Sequence, residues 1–426
     1  AVIDPERYTD RYLEYARNKN LKITHIIETH LHADFVSGHM ELAEKTKAKI
    51  YSPADAECDY EHLPIKEGDK IELEDLIFEA IATPGHTPEH ISYILTDTSR
   101  ADKPVAVFCG DTLFVGDVGR PDLFPGRAEE LGKKLFDSLH DKLMSLSDYV
   151  EVYPLHGEGS MCGKAIGAKK HSTIGYENRF NKILQNKSQE KFMEQLMEGM
   201  PPIPDHYSRC TRINKKGPEL IANTPFPCRT SPKEFNEMMQ RNDTTILDIR
   251  RFQAFAGAHI PNSYNIDLET NFPAYAGWVL PPDKKIMIVS DSFEEVKEAV
   301  AMLKRVGLDN TFAYLEGGIY AWGIAGLPHS HISLIDSDKL RDIAHSNNGK
   351  TKILDVRSPS EFEKGHIDGA ININFPDLRE RYKELNKRQK YVVVCGSGQR
   401  ASIAISILKQ HGFKNLLNVN GGITVY

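Results

Sequence analysis

Two stretches of this chain share one register, and that repeat limits the fold more than any other feature. "TILDIRRFQAFAGAHIPNSYNID" (245–267) and "KILDVRSPSEFEKGHIDGAININ" (352–374) place Asp248, Arg250, Phe255 and His259 against Asp355, Arg357, Phe362 and His366. Farther on, "KKIMIVSDSFEEV" matches "QKYVVVCGSGQRA", and "LEGGIYAW" matches "VNGGITVY". Apolar, β-branched runs that end in a loop and are followed by helix formers read as strand-then-helix units. The second half of the chain is therefore expected to hold two copies of one α/β domain with a parallel sheet, at 223–330 and 331–426.

The copies differ where chemistry would sit. Cys395 closes the strand "YVVVC" and opens "CGSGQRASIAISIL". A Cys at a strand end, then a Gly-rich loop, then a helix N-terminus, makes an anion cradle from Gly396, Ser397, Gly398 and Gln399. The same field favours a thiolate nucleophile, and Arg400 is expected to add a fixed cation. In the first copy Ser290 stands at the nucleophile position, with Phe293, Glu294 and Glu295 across the loop and Glu295 where Arg400 falls. That copy is expected to be catalytically silent, serving as spacer, docking surface or wall of the site.

Residues 1 to about 180 alternate short strands and helices, and ligand-type residues recur where a strand meets a loop. "ETHLHADFVSGH" (28–39) carries His30, His32 and Asp34, and in an extended segment residues two apart face one side. His86 lies in "TPGHTPEH", Asp111 in "FCGDTLF", His156 in "YPLHGEG" and Cys162 in "GEGSMCGKA". Singly, a His or Asp at such a place reads as an ordinary polar loop residue; the cluster at 30–34 with His86 and Asp111 reads as a metal-ligand set. A polar helical stretch follows from about 175 to 200. "GMPPIPDHY" and "NTPFPCRTSP" then read as linker.

In order, "THLHADFVSGH", "TPGHTPEH", "CGDTLFVGDVGRP" and "YPLHGEG" resemble the metallo-β-lactamase fold over about residues 1–180. That implies an αββα sandwich with its site at the sheet edges, in a domain with its linker at 1–222. Dinuclear zinc hydrolases of that superfamily use His-x-His-x-Asp-His, and here the last His is Phe35. Phe offers no lone pair, and an apolar ring beside a second cation raises the cost of burying it. Two His and one carboxylate with open positions suit a non-haem Fe(II) site. "ETHLHADFVSG" and "FVGDVGRPDL" are similar to the persulfide dioxygenase branch, including its bacterial fusions to rhodanese domains. The resemblance implies His30, His86 and Asp111 as ligands to one Fe(II) per chain. His32, Asp34 and His156 become supporting or vestigial groups, and Cys162 either holds a persulfide near the site or is an inert buried thiol. The stretch around Cys395, with "ILDVRSPSEFEKGHIDGAINI", resembles the rhodanese family, and the six residues from Cys395 to Arg400 match the sulfurtransferase loop.

These resemblances imply oxidation of a low-molecular-weight thiol persulfide by O2 to sulfite, and thiosulfate formation through a Cys395 persulfide, as in sulfide detoxification. The rival is a zinc-dependent thioester hydrolase of the glyoxalase II kind with an accessory sulfurtransferase. A structural metal in a non-catalytic sulfur carrier would need a closed four-ligand site. The net charge of -7 argues against nucleic acid or an anionic membrane as partner. Six cysteines without a C-x-x-C pair suit free thiols and a reducing, cytoplasmic setting. Such fusions commonly self-associate, so a homo-oligomer is expected. The chain opens on "AVIDP", which reads as the end of a strand and suits a longer natural N-terminus.

Overall fold

The computed structural model describes residues 1–346 and 349–426. Two compact units divide the chain: Ala1–Asn223 with Arg305–Gly307, and Thr224–Lys304 with Leu308–Tyr426.

The first unit is built on two sheets. A four-stranded parallel sheet runs Val2–Ile3, His25–Ile27, Lys49–Pro53, Leu63–Ile65 in spatial order. A six-stranded mixed sheet runs Ser172–Thr173, Glu151–Pro154, Pro104–Gly110, Ile91–Asp97, Leu76–Ala82, Lys70–Leu73. Ile27, Ile65, Phe78, Ile91 and Tyr93 fill the space between the sheets. Outside the first sheet, Ala16 and Leu42 of the helices Asp10–Asn18 and His39–Thr46 pack on Ile26 and Ile50. Outside the second, Leu135 of Ala128–Asp137 and Phe192 of Gln189–Met197 pack on Val107 and Val152. Each sheet thus buries both faces, one against its partner sheet and one under helices, giving four layers in the order α, β, β, α.

Two readings of the chain change. The run of helix formers "AEELGKKLFDSLHDKLMSL" is a regular helix only over Ala128–Asp137, then widens through Ser138–Lys142 and tightens over Leu143–Ser145. The proline-rich linker is interrupted by the helix His206–Lys216, whose buried Tyr207 and Asn214 face the first unit's interior.

The second unit holds two five-stranded parallel sheets of identical topology. In chain order within each copy, the strands lie 1-5-4-2-3. The first sheet runs Cys228–Thr230, Thr311–Leu315, Lys285–Val289, Thr244–Asp248, Tyr264–Asn265; the second runs Ser333–Ile335, Leu416–Val419, Lys390–Val394, Thr351–Asp355, Ile371–Asn372. The repeated residues hold the turn after the second strand. Arg250 donates to both Asp248 carboxylate oxygens and to Ala258 O; Arg357 does the same with Asp355 and Gly365 O. Asn265 and Asn372 each donate to the carbonyl oxygens of that Asp and Arg. His259 and His366 stack on Phe255 and Phe362 at 3.9 and 3.8 Å. Among the described residues no helix is long and apolar enough to cross a membrane.

Candidate metal centre and sulfur-transfer loop

Strand His25–Ile27 ends just before Thr29 and His30, strand Leu76–Ala82 before His86, and strand Pro104–Gly110 before Asp111. One donor atom from each of His30, His86 and Asp111 lies within 4.8 Å of the others, and all three residues are buried. Donors around one ion at about 2.1 Å sit roughly 3 to 4 Å apart, so this spacing suits a single ion. His30 Nε2, His86 Nε2 and both Asp111 carboxylate oxygens are buried without a hydrogen-bond partner. Buried polar atoms are nearly always satisfied, so four such atoms turned to one point fit a cation.

The supporting contacts fix which ring nitrogen faces that point. Thr29 Oγ1 donates to Asp4 Oδ2 at 2.9 Å, so its remaining capacity accepts from His30 Nδ1 at 2.8 Å. His86 Nδ1 donates to Arg120 O at 2.9 Å, and Arg120 is itself held by Asp122 and by Met161 O. Both Nε2 lone pairs are therefore exposed to the metal position. Burial, reinforced by the charge of His32, keeps His30 well below its ordinary pKa, and burial lowers His86. Burial works to raise the Asp111 carboxyl, but His156 and His86 outweigh it and leave it well below the carboxylate range. Neutral imidazoles and an ionised carboxylate are the ligating forms.

His32 does not join them. Its Nε2 is engaged by Glu28 Oε2 at 3.0 Å and Asp4 Oδ1 at 3.2 Å. Burial opposes its charge, yet Asp4 and Glu28 raise its pKa to about 10. Phe35 stacks on the far side of His32 at 4.5 Å and turns its ring edge-on to His156 at 6.5 Å. Asp34 sits with His156 instead: His156 Nε2 lies 3.3 Å from Asp34 Oδ2 and 3.4 Å from Asp111 Oδ2. Cys162 does approach this corner, with a donor atom within 4.8 Å of those of Asp34 and His156. Its sulfur lies 3.6 Å from Tyr207 Oη, and burial with the charges of Asp34 and Asp111 pushes the thiol up to about 12. A thiol held protonated is a poor sulfur acceptor.

Two supporting residues escape the sequence reading. His90, inside "TPGHTPEH", accepts from Asp111 N–H through Nε2 at 3.1 Å and stacks on His30 at 4.8 Å. It needs the neighbouring Gly110, whose φ is +46° and whose added Cβ would meet His90 Nε2 at 2.5 Å. Asn214 clamps the "THLHADFVSG" loop by donating to His32 O and Phe35 O and accepting from Ser37 N–H, each at 2.8 Å. No local motif marks it, because its partners lie far back in the sequence.

Thr29→Val tests the support of His30. Losing one hydroxyl strands both Asp4 Oδ2 and His30 Nδ1, which should cost about 1–3 kcal/mol of stability. Metal affinity should fall roughly 10- to 100-fold. Urea unfolding and competition with a metal chelator read the two effects separately.

In the second unit Cys395 follows strand Lys390–Val394, and helix Gln399–Gln410 begins four residues later. Gly398 N–H and Ala401 N–H donate to the Cys395 sulfur at 3.1 and 3.3 Å. Gly398 has a φ of +103°, and a Cβ there would meet Phe252 of the first copy at 2.8 Å. Ser397 Oγ donates to Gln399 Oε1 at 3.2 Å, and Thr424 ties the loop through Gly396 O. Arg400, expected as a fixed cation of the loop, is held by a partner. Its guanidinium makes a two-point ion pair with Glu361, at 2.7 and 2.8 Å. In the first copy Ser290 Oγ donates to Glu295 Oε2 at 2.5 Å, so the residue replacing Arg400 occupies the residue replacing Cys395.

Comparison with known proteins gives two family matches. The metallo-beta-lactamase superfamily model matches residues 1–154, and the rhodanese-like domain model matches 231–325 and 338–426. A metallo-beta-lactamase structure from Staphylococcus aureus is 33% identical, with a TM-score of 0.65, over 74% of this chain and 90% of that one. The structure of ETHE1 from Myxococcus xanthus is 30% identical over 50% of this chain and 86% of that one, with a TM-score of 0.43. The hydroxyacylglutathione hydrolase of Saccharophagus degradans is 32% identical over 43% of this chain. The chain spans 67% of that protein's length and little more than half of several others of the same name.

Proposed function

The chain belongs to the metallo-β-lactamase superfamily and carries two rhodanese-like domains, and on that premise we propose that it is an Fe(II) persulfide dioxygenase joined to a sulfurtransferase. The observation that carries this reading is the buried trio His30, His86 and Asp111, with their donor atoms unpartnered, beside a Phe35 that supplies no ligand for a second ion.

Fe(II) bound there would supply activation of O2 through its open coordination positions. The chain's own residues do the rest. Thr29 and Arg120 hold the two imidazoles in the ligating tautomer, His90 fixes the Asp111 backbone, and Asn214 holds the loop that carries His30. Asp34 and His156 stand at the edge of the same site, where a proton can reside between carboxylates. In sum, one persulfide RSSH, O2 and water give the thiol RSH, sulfite and two protons.

The Cys395 thiolate attacks the outer sulfur of a second persulfide. The S–S bond breaks, RSH leaves with the persulfide's proton, and a Cys395 persulfide remains. Sulfite takes its outer sulfur, giving thiosulfate and restoring the thiolate. Gly398 N–H and Ala401 N–H stabilise the negative sulfur at both stages. One chain bearing both activities raises the effective concentration of sulfite at the second. The first rhodanese-like copy has no thiol at this position and takes no part in transfer.

The hydroxyacylglutathione hydrolase relatives support a second reading, zinc-dependent thioester hydrolysis. O2 consumption by the iron-loaded protein across a panel of thiol persulfides separates the two. The dioxygenase reading expects one iron per chain and uptake with at least one persulfide. Two zinc ions per chain at full occupancy, thioester hydrolysis and no O2 uptake would overturn it.

A further inference from the structure

The repeat supplies an internal control for the sulfur-transfer loop. Both copies keep the Asp–Arg turn, the Asn that caps it and the stacked Phe–His pair, so these serve the fold irrespective of chemistry. The pair Glu361–Arg400 behaves differently. At the matching positions the first copy has Ala254 and Glu295, and it has Ser290 in place of Cys395. The ion pair is present where the thiol is present and lost where it is lost.

Glu361 is also a helix cap. It accepts from Ser358 N–H and Oγ, while Ser358 Oγ accepts from Glu361 N–H, which starts the helix Pro359–Lys364. Capping alone does not require a negative charge, since Gln serves the same box. What the carboxylate adds is its two-point hold on Arg400, which brings Glu361 down to about 2 through that pairing. With Arg400 compensated, the charge of a Cys395 thiolate is balanced chiefly by loop N–H dipoles. A dianion approaching that sulfur is repelled about twice as strongly as a monoanion, and a neutral persulfide is not repelled.

We propose that Glu361, by neutralising Arg400, is the specificity-determining residue that makes Cys395 accept sulfur from persulfides of low charge in preference to dianionic thiosulfate. This rests on Cys395 being the transfer nucleophile. Glu361 acts through Arg400 and is a positioning residue.

The test uses the full chain, with 2-hydroxyethyl persulfide or thiosulfate as donor and cyanide as acceptor, reading thiocyanate. Cyanide removes the outer sulfur of the Cys395 persulfide as thiocyanate and regenerates the thiolate, and Cys395→Ser gives the uncatalysed background. Wild type should favour the persulfide. Glu361→Gln keeps the cap and frees the cation, so kcat/KM for thiosulfate should rise on the order of tenfold, through KM, with the persulfide little changed. Glu361→Asp should restore the wild-type ratio. An unchanged ratio in Glu361→Gln, or a proportional loss with both donors, overturns the proposal. Wild type offers a check that needs no variant: kcat/KM for thiosulfate should rise with added salt as the repulsion is screened, and a steep fall would show an uncompensated cation and also overturn it. Catalysed transfer surviving in Cys395→Ser would instead remove the nucleophile itself and the inference with it.

Discussion

Asp111→Ala should abolish persulfide-dependent O2 uptake while leaving sulfur transfer at Cys395 within about twofold of wild type. Asp111 is the one carboxylate in the candidate trio, and both its oxygens are buried without a hydrogen bond, Oδ2 lying 3.2 Å from His86 Nε2 and 3.4 Å from His156 Nε2. Two neutral imidazoles remain after its loss, which is too few donors and no negative charge for Fe(II). The loss of bound iron should exceed the ~100-fold that follows removal of an outer partner such as Thr29. His156 keeps Asp34 as a partner, so the variant is expected to fold. Iron content, O2 uptake and thiocyanate formation from the same preparation decide the matter. Concurrent loss of both activities in a folded variant would contradict separable sites, which the separate cores of the two units favour.

Cys395→Ser should leave O2 uptake intact and move the product from thiosulfate toward free sulfite. A Ser hydroxyl lacks the acidity to be a nucleophile here and forms no persulfide. The measurement is the sulfite-to-thiosulfate ratio at limiting persulfide, corrected for the uncatalysed reaction of sulfite with persulfide. The enzymatic share of thiosulfate should fall by at least roughly 100-fold. Adding Ser290→Cys should not rescue it. That position faces the Glu295 carboxylate, which would hold a thiol protonated. Undiminished enzymatic thiosulfate from the single variant would strip Cys395 of its role.

What the sequence makes legible here follows from what is local. The second unit's topology can be read because its register is printed twice, and Cys395 because nucleophile, glycines and helix are contiguous. His30, His86 and Asp111 are recognisable because each ends an apolar strand in a short polar motif. Long-range partners are another matter. Asp4, whose two oxygens support Thr29 and whose charge helps hold His32, sits in an unremarkable opening segment. Glu361 reads as a helix cap in "SPSEF" and reveals its second task only when the chain brings it to Arg400. The Arg400 cation is legible in the loop but its pairing is not: a positive residue in a loop carries no local mark of the carboxylate that meets it.

Asn214 also bears on where the metal-binding part of this chain can be cut. The family match ends at residue 154, after every candidate ligand but before the helix His206–Lys216. A fragment trimmed near that match would contain all three donor residues, yet the carbonyls of His32 and Phe35 would lose the amide that ties them down. A fragment that keeps this brace therefore reaches at least to residue 216, and shorter pieces made for expression would carry the candidate ligands without the amide that shapes their loop.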